Sequence, residues 1–440
     1  MKKLIKLAIP ITFVFTLVFS SSVTADPQSR PNGPYVENEQ NISLSSYMSN
    51  EELYKKLQKL ERNSNGKMKL DIAGYSNLSP DGYSTAEDKG EPLHVVKFGD
   101  SDPDKKRVLI TTQIHGNEQI STEAALDIIK KLSSNGKEVN EILENVSIWI
   151  MPRINPEGAD NKYEDSWYPT RYTHQTWDPE ALGLPADTLA PWYYNEDGSE
   201  RAQNNNGRIV YGIPGYDQNR DYNPNLDLNI EDQDKSEVAD FLNSRSTNNS
   251  RYGGFYVTAE SRTVTSVFQE FQPDVFVDVH HRGFNTLSDE DNRSVPVQLA
   301  AVVATQSYED PFSGKKYEVD EDVLKLGKQV NALSYLTLQN GNSHFGAIQK
   351  YPDVNLPGTA LGAFALNDAA IMLIEIKGQT QTLGQKQNGM LKETVKKPLY
   401  EVFKGLSDGT INDVDPQIYD DIPVSTNRIS DPTTREDDAF

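Results

Sequence analysis

The pattern of apolar and polar residues changes its period within residues 108–132. Residues 108–114 form an apolar, β-branched run of strand length, and from Ile120 onward the apolar residues fall at helical spacing. The tetrad HGNE at 115–118 occupies the junction. The pattern therefore predicts a strand, a turn and a helix, with a histidine and a glutamate on the turn. Because ligand crevices form at the carboxyl ends of strands in open α/β sheets, this turn is the first candidate site.

The rest of the chain predicts strands that alternate with helices. Ser49 and Glu52 match a capping box ahead of an apolar stripe, which predicts a first helix over about 50–62. The remaining predictions are strands over 68–73, 93–98, 146–151, 273–281 and 369–377, and helices over 235–244, 323–336 and 391–404. This order favours the α/β class, with a mixed, mostly parallel central β-sheet and helices on both faces.

The two ends of the chain depart from this pattern. Residues 1–25 combine a basic start, an apolar core and small residues before a cleavage position, which is the pattern of a secretory signal peptide. Residues 26–45 are polar and hold three prolines, so we expect a flexible lead-in. Residues 406–440 are acidic and punctuated by Pro and Gly, so we expect a poorly structured tail. A secreted catalytic domain over 46–405 remains.

Residues 162–216 interrupt the alternation of strands and helices. They hold three of the four tryptophans (Trp167, Trp177 and Trp192) and show no sustained period. An insertion this long inside a compact domain is usually functional. Two interpretations stay open: the aromatic residues line a substrate cleft, or they form a cap that packs over the sheet.

The composition limits which residues can bind a metal and which partners the surface can attract. Cysteine is absent and histidine occurs six times, so a transition-metal site must use His, Asp and Glu. The formal charge of −22 becomes −25 without the signal segment, which holds three lysines and no acid. Such a surface repels nucleic acid and anionic membranes, and no later segment approaches the 18 apolar residues of a membrane span. We expect a monomer without a membrane anchor or nucleic-acid partner.

Three predicted strand ends carry residues that suit a catalytic metal site: His115 with Glu118, His280 with His281, and Glu375. Parallel strands bring their carboxyl ends to one edge of a sheet. A catalytic zinc typically has three protein ligands and an open position for water, and a nearby carboxylate can take the proton of that water. This pattern therefore indicates a zinc hydrolase. It offers two possible ligands close together in sequence, a third far downstream, and one further carboxylate that can act as the base.

Five motifs occur in one order: HGNE at 115–118, NPEG at 155–158, DQNRD at 217–221, VH at 279–280 and LIE at 373–375. With these motifs, nearly all of 46–405 resembles the zinc metallocarboxypeptidase family, which has the fold of pancreatic carboxypeptidase. The lead-in is too short for the globular pro-domain of the digestive members.

The resemblance implies a role for each matching residue. One zinc ion per chain would be held by His115, Glu118 and His280, and Glu375 would be the general base and acid. Asn219 and Arg220 would bind the terminal carboxylate of a substrate.

Two further roles have candidates. For the arginine that stabilises the oxyanion, the family pattern favours Arg208, with Arg171 as the alternative. For the tyrosine that closes over the substrate, Tyr351 is the candidate. Asp221 stands where the family often has Asn, and we expect it to place a negative charge near the carboxylate pocket.

Three functions remain open at this point. The first is a secreted zinc carboxypeptidase that removes C-terminal residues from peptides. The second is a zinc amidase or peptidase of the same fold that acts on cell-wall peptides. The third is an inactive binding module, against which the intact set of ligands and base argues. The other histidines, His94, His174, His281 and His344, are expected to be structural or to orient the site.

Overall fold

The structure of the protein is a computed structural model. It describes residues 48–77, 89–163, 166–167, 169–175, 177–191, 215–244, 252–282, 287, 295–301, 307–340, 347–377 and 384–424. The signal segment and lead-in, Trp192, Arg208 and His344 lie outside the described residues.

Helices and strands alternate through most of the described chain. The helices are α1 (Asn50–Asn63), α2 (Gln119–Leu132), α3 (Lys137–Asn145), α4 (Pro156–Ala159), α5 (Lys235–Ser244), α6 (Ala259–Phe271), α7 (Glu321–Asn340), α8 (Ala360–Ala365), α9 (Gly384–Asp408) and α10 (Gln417–Asp420). The strands are β1 (Lys69–Asn77), β2 (Lys89–Phe98), β3 (Lys106–Thr112), β4 (Val146–Met151), β5 (Lys162–Tyr163), β6 (Ser166–Trp167), β7 (Thr173–His174), β8 (Gly215–Tyr216), β9 (Val275–Arg282), β10 (Val297–Ala300), β11 (Ser307–Glu309), β12 (Lys316–Glu318), β13 (Ile348–Lys350) and β14 (Ala370–Lys377).

One mixed sheet dominates the described part of the chain. Its eight strands lie in the order β1-β2-β4-β3-β9-β14-β10-β13. The central strands β4, β3, β9 and β14 are mutually parallel. At one edge, β2 runs antiparallel to β4, and β1 runs antiparallel to β2. The predicted fold class, a mixed and mostly parallel sheet, is confirmed.

Alternate residues of the strands enter two apolar cores, one on each face of the sheet. In β3, Val108 and Ile110 belong to the core that also contains residues of α1, α2, α3, α7 and α9. Leu109, between them, belongs to the core built with α5, α6 and α8. Because each buried aliphatic side chain contributes about 1.5–3 kcal/mol, the alternation holds helices on both faces of the sheet. Among the described helices, none is long and apolar enough to cross a membrane.

The segment 406–424 differs from the expected unstructured tail. Helix α9 continues to Asp408, a 3₁₀ turn covers Thr410–Asp413, and α10 follows. Tyr419 is buried, and its hydroxyl accepts a hydrogen bond from the backbone N–H of Ala301. The boundary at 405 is therefore wrong, because a few apolar residues among the acids are enough to anchor this segment to the domain.

Candidate active site

Three side chains from two parts of the chain meet in a buried cluster. His115 and Glu118 lie on the turn between β3 and α2, and His280 lies near the end of β9. The Nδ1 atom of His115 is 2.7 Å from one oxygen of Glu118, and Nδ1 of His280 is 3.1 Å from the other. One potential ligand atom from each residue lies within 4.8 Å of the others. Within the described ranges, no other group of three or more His, Asp and Glu side chains is close enough to hold a metal ion.

The turn that carries His115 and Glu118 needs a glycine. A Cβ atom on Gly116 would lie 2.3 Å from the carbonyl carbon of Gly158, in the NPEG motif. Gln113, just before the turn, adopts a positive φ of 54°, and its side-chain amide donates to the carbonyl of Gly116 at 2.7 Å. This packing brings the HGNE and NPEG motifs into contact and fixes the turn after β3.

A carboxylate holds the far side of each histidine ring. His115 Nε2 is 3.2 Å from Asp217, and His280 Nε2 is 2.8 Å from Asp278. With Nε2 held in this way, Nδ1 of each ring faces the cluster. Such partners orient metal-ligating histidines and increase their basicity.

The cluster is electrostatically suited to a divalent cation. Burial alone would raise the pKa of Glu118, but His115 and His280 hold it well below its ordinary value. Burial alone would lower the pKa of His280, but Asp278 and Glu118 raise it well above its ordinary value. Two histidines and one ionised glutamate form a donor set that is typical of catalytic zinc. The residues therefore fit the metal that the sequence predicts.

Glu375 faces the same cavity as the cluster. It lies on β14 directly opposite His280 of β9, and both line a cavity of about 150 Å³. In the described part of the molecule, Oε2 of Glu375 is shielded from solvent and has no hydrogen-bond partner. Burial raises the pKa of Glu375, partly offset by His280. A raised pKa makes this carboxylate a stronger base, which suits a proton acceptor in hydrolysis.

Of the two candidates for the arginine that stabilises the oxyanion, the structure describes Arg171. Arg171 lines the cavity, and its Nη1 atom lies 3.8 Å from Glu118. Its Nε and Nη2 atoms are 2.9 and 2.8 Å from one oxygen of Asp217, which fixes the guanidinium beside the cluster. Arg208 lies outside the described residues.

The predicted substrate-binding residues also line the cavity. Asn219 and Arg220 both line it. The side-chain carbonyl of Asn219 accepts a hydrogen bond from the backbone N–H of Ala360 at 3.1 Å. The guanidinium of Arg220 donates to the backbone carbonyl of Asn219 at 2.7 Å. Tyr351, just after β13, contributes its side chain to the same wall. Burial and then Glu375 raise the pKa of Tyr351, so its hydroxyl stays protonated.

The expectation that Asp221 charges the carboxylate pocket is wrong. Asp221 is buried, and its carboxylate accepts from three backbone N–H groups and two hydroxyls of the segment 255–261. These bonds use both oxygens of Asp221 at the start of α6. Asp221 therefore connects the DQNRD loop to α6.

His94, His174, His281 and Trp177 lie outside the metal cluster. His281 is buried in the cavity wall, and burial lowers its pKa to about 4. The Tyr54 and His94 rings stack at 4.7 Å, and His174 is 3.2 Å from the Thr170 hydroxyl. Trp177 packs against the apolar core that also contains residues of α5 and α6.

Comparison with known proteins finds a similarity over the middle of the chain. Residues 84–289, which include the HGNE tetrad and His280, match the family model described as zinc carboxypeptidase. This segment, slightly less than half of the chain, is similar to the zinc carboxypeptidase family. Carboxypeptidase B of Astacus astacus is 32% identical to this chain over 85 residues, which cover 19% of this chain and 28% of that protein. The chain spans less than a third of the length of the curated relatives that it matches.

Two solved structures share the fold. Bovine thrombin-activatable fibrinolysis inhibitor, solved with tick carboxypeptidase inhibitor, superposes with a TM-score of 0.50 at 13% identity, covering 82% of this chain and 98% of that chain. Carboxypeptidase A from Helicoverpa armigera gives a TM-score of 0.50 at 15% identity, covering 84% of this chain and 77% of that chain. These likenesses concern the fold alone.

Proposed function

We propose that this protein is a zinc-dependent metallocarboxypeptidase that hydrolyses the C-terminal peptide bond of peptides. One observation carries the proposal: a single cavity is lined by the cluster of His115, Glu118 and His280, by Glu375, and by Arg220. A metal site, a proton acceptor and a cation for a terminal carboxylate are the three groups that this reaction needs. The similarity of residues 84–289 to the zinc carboxypeptidase family supports the same activity.

A zinc ion held by His115, Glu118 and His280 would act as a Lewis acid and lower the pKa of water from about 15.7 to about 7. Glu375 accepts a proton from the attacking water and then gives it to the leaving amine, a task that its raised pKa suits. Arg171 donates to the oxygen of the scissile carbonyl as negative charge develops there.

Arg220 and Asn219 position the substrate for this reaction. The planar guanidinium of Arg220 can bind both oxygens of a terminal carboxylate, which the ammonium group of a lysine cannot copy. Asn219 is buried and held by Ala360, so it presents a fixed amide to the same group. Tyr351 closes over the bound residue from the β13 side of the cavity.

The cell-wall amidase is the second candidate, and the structure removes one reason for it. A negative charge on Asp221 beside the pocket would disfavour a free terminal carboxylate, but hydrogen bonds within the fold use this charge. We further propose that the protein is exported through its N-terminal signal segment, binds one zinc ion and acts as a monomer. The pattern of residues 1–25 supports export.

Mass spectrometry of a peptide library tests the activity. Purified zinc-loaded protein is incubated with peptides that carry either free or amidated C-termini, with and without a zinc chelator. We expect chelator-sensitive loss of single residues from free C-termini, and at most slow cleavage of the amidated peptides. The Glu375→Gln variant, prepared identically, controls for a contaminating peptidase. Release of cell-wall fragments without peptide trimming would favour the amidase, and a zinc-loaded protein that cleaves neither would overturn the proposal.

A further inference from the structure

Gln113 lies two residues before the first proposed metal ligand, and its backbone is held from two sides. It is fully buried and has a positive φ of 54°. Its backbone N–H donates to the Ser121 hydroxyl at 3.1 Å, and its backbone carbonyl accepts from the N–H of Asn155 at 3.0 Å. A positive φ is unfavourable for a residue with a Cβ atom and persists where the surroundings impose it, which is common at functional sites. The conformation of Gln113 is therefore imposed by the residues around the HGNE and NPEG motifs.

The side-chain amide of Gln113 has one orientation. Arg153 donates from Nε to the amide oxygen at 2.9 Å, and the amide nitrogen of Gln113 donates to the carbonyl of Gly116 at 2.7 Å. A flipped amide would turn its N–H groups toward the guanidinium and its oxygen toward the Gly116 carbonyl, so that donor would face donor and acceptor would face acceptor. Arg153 therefore selects the orientation in which Gln113 binds the turn.

Two hydrogen bonds connect Gln113 to the turn that carries the proposed ligands. The carbonyl of Gly116, between His115 and Glu118, accepts directly from the Gln113 side chain. The carbonyl of Glu118 accepts from the Ser121 hydroxyl at 2.6 Å, and that hydroxyl also accepts from the backbone of Gln113. Gln113 thus acts on both ligands of the turn through the backbone that carries them.

Arg153 is in turn held by the start of α1. It is 4% exposed, its Nη1 donates to the side-chain oxygen of Asn50 at 2.7 Å, and its Nη2 donates to the backbone carbonyl of Met48 at 2.8 Å. Burial lowers the pKa of Arg153 to about 10, so the guanidinium is charged at neutral pH and its hydrogen bonds are charge-assisted. These contacts use the rigid fork of an arginine, which a lysine cannot copy. The contact between α1 and Arg153 therefore contributes to the orientation of the Gln113 amide.

We infer that Gln113 is a positioning residue for the metal site, and that Arg153 acts on this site through Gln113. The side chain of Gln113 sets the backbone of the turn, and the turn sets the separation of His115 and Glu118. Neither Gln113 nor Arg153 lines the catalytic cavity as the structure describes it. This inference rests on the zinc site of the proposed function and adds two residues on which that site depends.

Zinc affinity, measured by competition with a chelator of known affinity, tests the inference without using catalytic activity. We expect Gln113→Ala to weaken zinc binding by about tenfold, the lower end of the range for groups that orient metal ligands. Gln113→Asn suits a positive φ but is one methylene shorter, so it cannot span from Arg153 to Gly116. This milder variant should also weaken zinc binding. Circular dichroism checks that each variant is folded at the assay temperature.

A double-variant cycle tests whether Arg153 acts through Gln113. Arg153→Lys keeps the charge and loses the fork, so we expect it to weaken zinc binding in the wild-type background. In the Gln113→Ala background the same change should alter zinc affinity by less than about twofold, because the group that transmits its effect is absent. Losses that multiply in the double variant would show that Arg153 acts independently and would overturn this part of the inference.

Gln329→Ala is the matched control. Gln329 is buried on α7, and its side-chain amide donates to the backbone carbonyls of Asn412 and Val414. The control variant loses an equally buried amide, so its Tm should fall while its zinc affinity stays that of the wild type. A general loss of stability is thereby separated from a loss of ligand positioning.

The outcomes distinguish this inference from the proposed function. Wild-type zinc affinity in folded Gln113→Ala and Gln113→Asn would overturn the positioning role and leave the carboxypeptidase activity standing. A wild type that binds zinc but cleaves no peptide, with weaker zinc binding in both Gln113 variants, would overturn the activity and leave the positioning role standing. A wild type that binds no zinc would overturn both.

Discussion

Glu375 and His280 face each other across two adjacent parallel strands of the central sheet. They are register partners on β14 and β9, and the two strands pair over the full length of each. The separation of the proposed base from a proposed metal ligand is therefore set by backbone pairing and not by a loop. A site built on paired strands holds its geometry when a single side chain is altered, which makes the role of each residue separable.

Glu375→Gln keeps the shape of the side chain and removes its basicity. We expect zinc to remain bound and kcat/KM to fall by about 10²–10⁴, the usual contribution of a general base. Metal content by elemental analysis and initial rates on one peptide measure the two effects. Glu309→Gln, on the exposed strand β11, is the matched control. Activity equal to the wild type would remove Glu375 from the mechanism.

Arg171 and Arg208 can be separated by one pair of variants. We expect Arg171→Gln to lower kcat by about 10²–10³, because a single donor to an oxyanion is worth about that factor. The identical change at Arg208 should leave kcat within a few-fold. Because Arg171 also offsets the charges of Glu118 and Asp217, zinc content is measured alongside the rates. The reverse pattern would assign the oxyanion to Arg208.

Arg220→Lys preserves the charge and removes the planar fork. Peptides with a free C-terminus should lose about 10- to 100-fold in kcat/KM, since a hydrogen bond to a charged group contributes about 1.5–3 kcal/mol. Slow cleavage of amidated peptides, followed over long incubations, should change much less. Equal losses on both substrates would place the carboxylate site elsewhere.

Much of the fold could be predicted because its signals are local. The strands at 146–151 and 369–377 are apolar runs, and the helix at 235–244 has its predicted bounds. Helix α6 was missed, although the N-cap Thr258 and the apolar spacing through Phe271 supply the signal. The helix predicted over 391–404 is longer at both ends, because packing against α2, α3 and α7 extends it.

Some residues of the candidate site could likewise be predicted from local sequence signals, and others could not. The ligand candidates could be predicted because a short motif and a strand end carry them. The position of Asp221 could not, because its hydrogen-bond donors lie 34–40 residues away in sequence. Arg171 lies in the long insertion, and its position at the cavity could not be predicted from the composition of that insertion or from the spacing of its apolar residues.

The carboxylate of Asp278 contacts the ring of His280, and Asp278→Asn tests how much this contact contributes to zinc affinity. The Thr111 hydroxyl donates to the other oxygen of Asp278 at 2.8 Å, so the carboxylate is fixed between strand and ligand. We expect zinc affinity to fall by about 10–100-fold, as for other partners of ligating histidines. Competition with a chelator of known affinity measures this change. Asp413→Asn, at an exposed site, should bind zinc as the wild type does.

Two buried carboxyl groups make stability depend on pH. Glu157 and Glu260 are buried, and within the described residues neither oxygen of Glu260 has a hydrogen-bond partner. Burial raises the pKa of Glu157 to about 8, and burial together with Glu157 raises that of Glu260 well above its ordinary value of 4.5. The folded state therefore binds more protons than the unfolded state between pH 4.5 and 8. The contribution of these two groups to stability is full below this window and is lost as pH rises through it.

Thermal unfolding at pH 5, 6, 7 and 8 measures this loss of stability. One pKa unit corresponds to about 1.4 kcal/mol, and 1 kcal/mol shifts the Tm of a large domain by about 2–4 °C. We expect the Tm of the wild type to fall by several degrees from pH 5 to pH 8. Glu157→Gln and Glu260→Gln should each flatten this slope, because a neutral amide replaces the group that ionises. Glu309→Gln, an exposed control, should keep the wild-type slope, and a slope unchanged in both buried variants would show that other groups cause the pH dependence.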